Sequence, residues 1–167
     1  MDTIEVSTDV YLTPEETYDF LVDFPRYARY SNHLRDVTEH GNGGVGTEYE
    51  LVFAWWKLSY TVRSRVTDVD PPNRIDWELT SGLEATGAWL IELVDDEPTT
   101  RVRFRVNYDP DSADRSRIDL PRFVSLSWVI ERVTPLVERE AERIVERVVA
   151  DLEGDPREVE LTVRTEE

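Results

Sequence analysis

Between Leu34 and Tyr108 apolar side chains return at every second position with only short interruptions, the period of a half-buried strand. Tyr49, Leu51, Phe53 and Trp55 alternate with Glu48 and Glu50, and Leu58, Tyr60, Val62, Ser64 and Val66 alternate with Ser59, Thr61, Arg63, Arg65 and Thr67. The pattern continues through Ile75, Trp77 and Leu79, through Gly87, Trp89, Ile91 and Leu93, and through Val102, Phe104 and Val106, with Arg101, Arg103 and Arg105 on the opposite face. Asp70-Pro71-Pro72-Asn73, Ser81-Gly82 and Asp95-Asp96-Glu97-Pro98 are the breakers between runs. An antiparallel meander with one apolar and one charged face is the economical reading.

Helical signals flank this block. Ile4, Val6, Thr8 and Val10 predict a first strand ending near Tyr11. Thr13-Pro14-Glu15-Glu16 then combines an N-cap threonine, a proline at the first helical position and a glutamate placed to close a capping box. Tyr18, Leu21 and Val22 share a face of that helix, and Pro25 ends it before a second short turn or helix over Arg26–Tyr30. After a polar loop, Val137, Ala141, Ile144, Val148 and Leu152 form a helical stripe widened by Val133, Leu136 and Val145. A helix from Pro121 to Leu152 spans roughly 48 Å, kinked or divided at Pro135. Gly154-Asp155-Pro156 closes it, and Val159, Leu161 and Val163 predict an extra edge strand in the tail, residues 154–167. No repeat or linker interrupts residues 1–153, which read as one domain.

Composition narrows the function classes. The 167 residues carry 19 Lys+Arg against 36 Asp+Glu, a net charge of −17, with no Cys. The missing thiols exclude disulfide, thiolate-metal and cysteine-nucleophile chemistry. No stretch of about 18 apolar residues offers a membrane span, and the opening Met1-Asp2-Thr3-Ile4-Glu5 lacks the basic start of a signal peptide, so a cytoplasmic location is expected. Net acidity opposes binding to nucleic acid or anionic lipid but is tolerable in molar salt, where the Debye length shrinks to about 3 Å. With Lys57 the only lysine beside eighteen arginines, the composition resembles that of proteins from halophilic archaea.

The order strand, two small helices, antiparallel strands and long C-terminal helix resembles the helix-grip fold of the START-like, or SRPBCC, superfamily, which includes polyketide cyclases, coenzyme Q-binding proteins, lipid-transfer domains and relatives of the birch pollen allergen. The segment from Val10 to Tyr27, with its proline, paired acids, aromatic, leucine and aspartate before a Pro25-Arg26-Tyr27 turn, looks like the family's opening, and Gly87-Ala88-Trp89 resembles its late glycine-x-tryptophan strand. The resemblance covers nearly the whole chain and implies an α+β fold: a curved antiparallel sheet wrapped around a long C-terminal helix, with an apolar cavity between them. The scaffold hosts many unrelated activities.

In such a fold Tyr49, Phe53, Trp55, Tyr60, Trp77, Trp89, Phe104 and Tyr108 face the helix residues Phe123 and Trp128. Core packing accounts for any one of them, whereas the set implies the aromatic wall of a pocket for a ring or isoprenoid chain. Alternation puts Ser64 on the same inner face, and Asn107 turns inward only if a bulge shifts its register. Ser64, Tyr60 or Tyr108 is then the group that orients a ligand's polar end.

Other motifs carry less. Gly41-Asn42-Gly43-Gly44-Val45-Gly46 matches G-x-G-x-x-G, yet it precedes a strand and so presents no helix N-terminus to a pyrophosphate. It reads as a hairpin or cavity-rim loop and resembles the glycine-rich loop of the birch allergen relatives, with Val45 where they carry proline. His33 and His40 lack metal-site spacing and a third ligand, so neither metal nor cofactor is expected. His33, Ser64 and Tyr60 are the candidates if proton-transfer chemistry occurs. The leading expectation is a monomer or homodimer holding a small hydrophobic molecule (lipid, quinone or polyketide-like). The alternatives are a cyclase/dehydratase-type enzyme using the same cavity and an interaction module whose cavity is filled by its own side chains.

Overall fold

The computed structural model describes residues 2–55, 58–94, 99–109, 112, 118–119, 139, 142–155, 159 and 161–166. Strand β1 (Asp2–Val10) leads into α1 (Pro14–Val22) and α2 (Phe24–Ala28), and β2 (Leu34–His40), β3 (Glu48–Trp55), β4 (Leu58–Asp70), β5 (Arg74–Ser81), β6 (Glu84–Leu93) and β7 (Thr100–Asp109) follow as a meander. A two-residue β8 (Ile118–Asp119), a helix α3 over residues 142–153 and β9 (Thr162–Glu166) complete the described elements. The strands form one antiparallel sheet in the order β2-β3-β4-β5-β6-β7-β1-β9, with β8 paired to β4. Strand β9 lies along β1, with Val163 opposite Val6, at the sheet's edge.

Local chemistry explains the first helix. Thr13 Oγ1 accepts from Glu16 N at 3.1 Å, Pro14 supplies the first-turn φ, and Thr17, Tyr18, Phe20 and Leu21 are buried against the sheet. The Thr17 hydroxyl donates back to the Thr13 carbonyl at 2.9 Å. Thr100, fully buried at the start of β7, donates its hydroxyl to the Leu12 carbonyl at 2.6 Å and so pins the β1–α1 corner to the sheet.

Strand parity divides the sheet as the alternation predicts. On one face Tyr49, Leu51, Val62, Val66, Ile75 and Ile91 form the core with Tyr18, Phe20 and Leu21. On the other, cross-strand pairs neutralise the arginines: Arg105 with Glu5 at 2.9 Å, Arg101 with Asp9 at 3.0 Å, Arg63 with Glu50 at 3.0 Å and Arg65 with Glu78. These pairs, exposed at Arg63–Glu50 and Arg65–Glu78 and part-buried at Arg101–Asp9 and Arg105–Glu5, place acid beside base on the outer face, and the exposed ones contribute little each. Asn107 sits on this outer face, opposite Thr3, whose hydroxyl donates to Asn107 Oδ1 at 2.7 Å, and no register shift turns it inward.

Two register shifts fall in the β4–β5 ladder, between Arg63 and Ser64 and between Val66 and Asp68. Bulges bend a strand and sharpen its twist, and the thirteen-residue β4 thereby helps curve the sheet around its apolar face.

Helix α3 differs by one position from the predicted stripe. Val149, outside that stripe, is 1% exposed and packs with Val10, Leu12, Val145 and Leu152. Positions 145, 149 and 152 are the i, i+4, i+7 set that meets the β1–α1 corner, while Val148 and Leu152 touch the main core. Polar tethers fix the helix: Glu153 accepts from Tyr11 N at 2.9 Å, Asp151 from the Tyr30 hydroxyl at 2.5 Å, and Arg147 donates to the Tyr30 carbonyl at 3.2 Å. The first half of the predicted C-terminal helix, with Phe123, Trp128 and Pro135, lies outside the described residues.

Candidate functional site

On the concave side of the sheet a cavity of about 250 Å³ opens between α1, the loop 41–47 and strands β3 to β7. The sheet contributes Tyr49, Phe53, Ser64, Trp77, Trp89 and Phe104 to its wall. Leu21, Val22, Phe24 and Gly43 add a rim from the helices and the loop.

The aromatic wall depends on a glycine. Trp77 and Gly87 are register partners on β5 and β6, and a Cβ on Gly87 would lie 2.2 Å from Trp77 Cζ2 and 2.7 Å from the Arg105 carbonyl oxygen. The indole therefore lies across the glycine and reaches β7, where it stacks on Phe104 with centroids 5.7 Å apart and an 18° interplanar angle. Trp89, register partner of Phe104, packs against it at 4.5 Å and 42°. All three rings remain half-buried while lining a cavity that is partly open to the outside. A close-packed core would cover such rings fully, so they present apolar surface to an occupant. Phe53 both lines the cavity and is 39% exposed, which marks the mouth.

The glycine-rich loop is a hairpin between β2 and β3 and contributes Gly43 to the rim. Thr47, 2% exposed, holds it: its hydroxyl accepts from Gly43 N at 3.0 Å, while Gly46 N donates to the Val66 carbonyl and Val66 N to the Thr47 carbonyl, both at 2.9 Å. Gly43 sits at φ +90°, a conformation glycine adopts without strain.

Among the described lining residues polar side chains are few. Ser64 stands directly opposite Tyr49 across the β3–β4 ladder, so two hydroxyl-bearing side chains share one patch of wall. Tyr49 is 5% exposed, and its ring packs on Phe24 with centroids 5.2 Å apart. The Tyr49 hydroxyl is buried and has no hydrogen-bond partner. Burial, followed by the carboxylates of Glu39, its cross-strand neighbour, and Asp23, pushes this phenol above its ordinary value of 10.0, although no acceptor meets it in hydrogen-bonding geometry. Burial also raises Tyr18, with Asp19 and Asp70 adding to it.

Both shifts favour the protonated phenol in the folded state. Their contribution to stability is complete below the unfolded pKa of about 10 and is lost as pH rises through the higher folded values. Urea midpoints measured across alkaline pH should fall beyond about pH 10, and less steeply in Tyr49→Phe.

The other sequence candidates stand elsewhere. Tyr60 is not among the lining residues; its hydroxyl donates to the Gly82 carbonyl, which engages it in the β5–β6 turn. Tyr60→Phe should therefore cost about 1 kcal/mol in chemical denaturation and leave ligand binding unchanged. Tyr108 pairs with Ala85 and Asp2 at the far end of β7, and His33 passes its carbonyl to Ala54 N at 2.8 Å; neither lines the cavity. Of Trp55 the backbone alone is described, opposite Leu58, and Phe123 and Trp128 lie outside the described residues. The rim from Leu21, Val22 and Phe24 was no part of the predicted wall; the apolar face of α1 is its one sequence signal.

Among the described residues no group of three His, Cys, Asp or Glu side chains is arranged to hold a metal, and no helix is long and apolar enough to cross a membrane.

The family model described as polyketide cyclase / dehydrase and lipid transport matches residues 1–149. Among solved structures, the Zhui aromatase/cyclase from a Streptomyces species is similar at 17% identity and a TM-score of 0.67, over 92% of this chain and 94% of that one. Ara h 8.0201 is similar at 14% identity and 0.63, over 92% and 98%, and a protein from Thermus thermophilus at 15% and 0.62, over 91% and 97%. At these identities the likeness is one of fold: a large curved antiparallel sheet with few helices, one of them C-terminal. No curated protein sequence matches the chain.

Proposed function

Because this chain belongs to the polyketide cyclase / dehydrase and lipid transport family, whose members share a ligand-binding fold, we propose that it binds a small hydrophobic ring compound in the cavity lined by Trp77, Trp89 and Phe104. The observation that carries this reading is the void itself: about 250 Å³ of space walled by half-buried aromatic rings. An engineered apolar cavity of about 150 Å³ already accepts benzene, so this one suits a molecule of about two fused rings. Removing that ligand's apolar surface from water, at about 25 cal/mol per Å², drives association.

Proton-transfer chemistry finds less support. Among the described residues, the wall residue Tyr49 has its hydroxyl buried and, by that burial first, pushed above its ordinary value, which opposes a role as general acid near neutral pH. The interaction-module reading requires a filled interior, and the void counts against it.

The test is to purify the chain in molar salt, extract it with organic solvent and identify any stoichiometric small molecule by mass spectrometry, then offer the stripped protein a panel of apolar fluorophores. A reproducible ring compound, or saturable one-to-one binding of a bicyclic fluorophore, supports the pocket. A protein that yields no compound and ignores the whole panel refutes it.

A further inference from the structure

Hydroxyls in and around the cavity wall are withdrawn from its space or already engaged. The Tyr49 hydroxyl is buried without accessible surface. Tyr60 donates its hydroxyl to the Gly82 carbonyl and Thr100 to the Leu12 carbonyl, while the Thr47 hydroxyl at the rim accepts from Gly43 N. Backbone N–H and C=O groups of the strands point along the ladders, in the plane of the sheet, and so offer nothing to a molecule lying on its face. Among the described lining residues Ser64 is then the one polar side chain left to meet an occupant; it is half-buried and makes no hydrogen bond. Around it the wall is aliphatic or aromatic, with Leu51, Val66, Ile75, Trp77 and Trp89 among its members.

Resting on the pocket reading above, we infer that the cavity selects hydrocarbon-like rings, with at most one hydrogen-bonding group on the surface they bury, and rejects polyhydroxylated rings of the same size. A hydroxyl entering the cavity leaves its hydrogen bonds with water behind, and among the described wall residues only Ser64 is placed to replace them. Each further buried hydroxyl stays unpaired and costs the ligand about tenfold in affinity. Phe53, 39% exposed, marks the mouth, where one substituent can remain in water. Rejection of this kind needs neither a clash nor a charge, because the penalty is the desolvation of a polar group that finds no partner. The ligand class is thereby narrowed to unsubstituted and alkyl-substituted rings and their mono-oxygenated derivatives.

Isothermal titration of the full chain with naphthalene, 2-naphthol and 1,3,6-trihydroxynaphthalene separates the two levels of the claim, since the three share one ring system and differ in hydroxyls. 2-Naphthol should bind about as tightly as naphthalene, its single hydroxyl meeting Ser64 or the mouth. 1,3,6-Trihydroxynaphthalene carries hydroxyls on both rings, more than Ser64 and the mouth can meet, and should bind at least about tenfold more weakly than naphthalene. Ser64→Phe, whose new ring occupies the cavity, serves as the control for location: it should lose binding of the whole series and the discrimination with it. Trihydroxynaphthalene binding wild type as tightly as naphthalene, or more tightly, overturns the selection while leaving the pocket intact. A discrimination that persists unchanged in folded Ser64→Phe belongs to another surface and overturns the inference as well. Failure of all three compounds to bind wild type overturns the pocket reading, and this inference with it.

Discussion

Gly87→Ala should destabilise the protein by about 3 kcal/mol, the upper end of the usual cost of overpacking. The added Cβ would sit 2.2 Å from the Trp77 indole and 2.7 Å from the Arg105 carbonyl oxygen. The first contact is relieved only by lifting the indole away from Phe104, its stacking partner. The second involves the backbone of the neighbouring strand and yields only if β6 and β7 separate. Urea unfolding measures the total cost, and a double-mutant cycle with Trp77→Leu apportions it. In the leucine background the alanine should cost less, since one of the two clashes is gone. An equal cost in both backgrounds would show that the indole does not lie over the glycine. A cost below about 0.5 kcal/mol, the scatter of ordinary surface substitutions, would remove the glycine's structural role altogether.

Ser64→Phe should have the opposite profile, a small effect on folding and a large one on binding. Extra methylenes in a well-packed core cost about 1–3 kcal/mol, but here the new ring enters existing space of about 250 Å³ beside Val66 and Trp77. Stability should change by less than about 1 kcal/mol, in either direction, because buried apolar area offsets whatever strain arises. Binding of a bicyclic probe should weaken by at least about a hundredfold, since the space it needs is occupied. Thermal unfolding and probe titration on the same sample give both numbers. A variant that unfolds readily and leaves no folded population would mean that Ser64 is surrounded by packed side chains, and one that still binds the probe at wild-type affinity would place the ligand elsewhere.

The period-two alternation carries most of the sheet because a pleated strand sends successive side chains to opposite faces, a rule that needs no tertiary information. It assigns Tyr49, Ser64, Trp77, Trp89 and Phe104 to one face, and these residues line the cavity together. The same rule assigns Tyr60 to that face without revealing that its hydroxyl is captured by Gly82, twenty-two residues away, because that contact depends on where the β5–β6 turn folds back. Tyr108 shares the parity of Phe104 but lies four residues along β7, beyond the reach of the cavity; alternation fixes a side, not a depth. The rim from Leu21, Val22 and Phe24 required knowing how α1 sits on the sheet, and helical periodicity gives a face but no docking position. Val149 illustrates the same limit, since the choice between adjacent apolar stripes on α3 is made by the β1–α1 corner that receives it.

Gly87 is legible in retrospect. A glycine in the interior of an alternating strand, flanked by register partners Trp77 and Val106, marks a place where something bulky crosses the backbone. The isolated hydroxyl of Tyr49 has no such signature, because an unpartnered buried group is defined by what surrounds it in space.

The most direct test of the central claim locates a ligand inside the cavity. Two-dimensional NMR of the isotopically labelled chain, titrated with naphthalene, should show saturable one-to-one shifts of the Trp77 and Trp89 indole resonances and of the Ile75 methyls, all three on the cavity wall. Resonances of Tyr11, Leu93 and Val163, exposed apolar side chains outside it, should stay still. Saturable shifts confined to those exposed side chains, or no saturable shift at the two indoles at millimolar probe, would contradict a ligand-binding cavity in this protein.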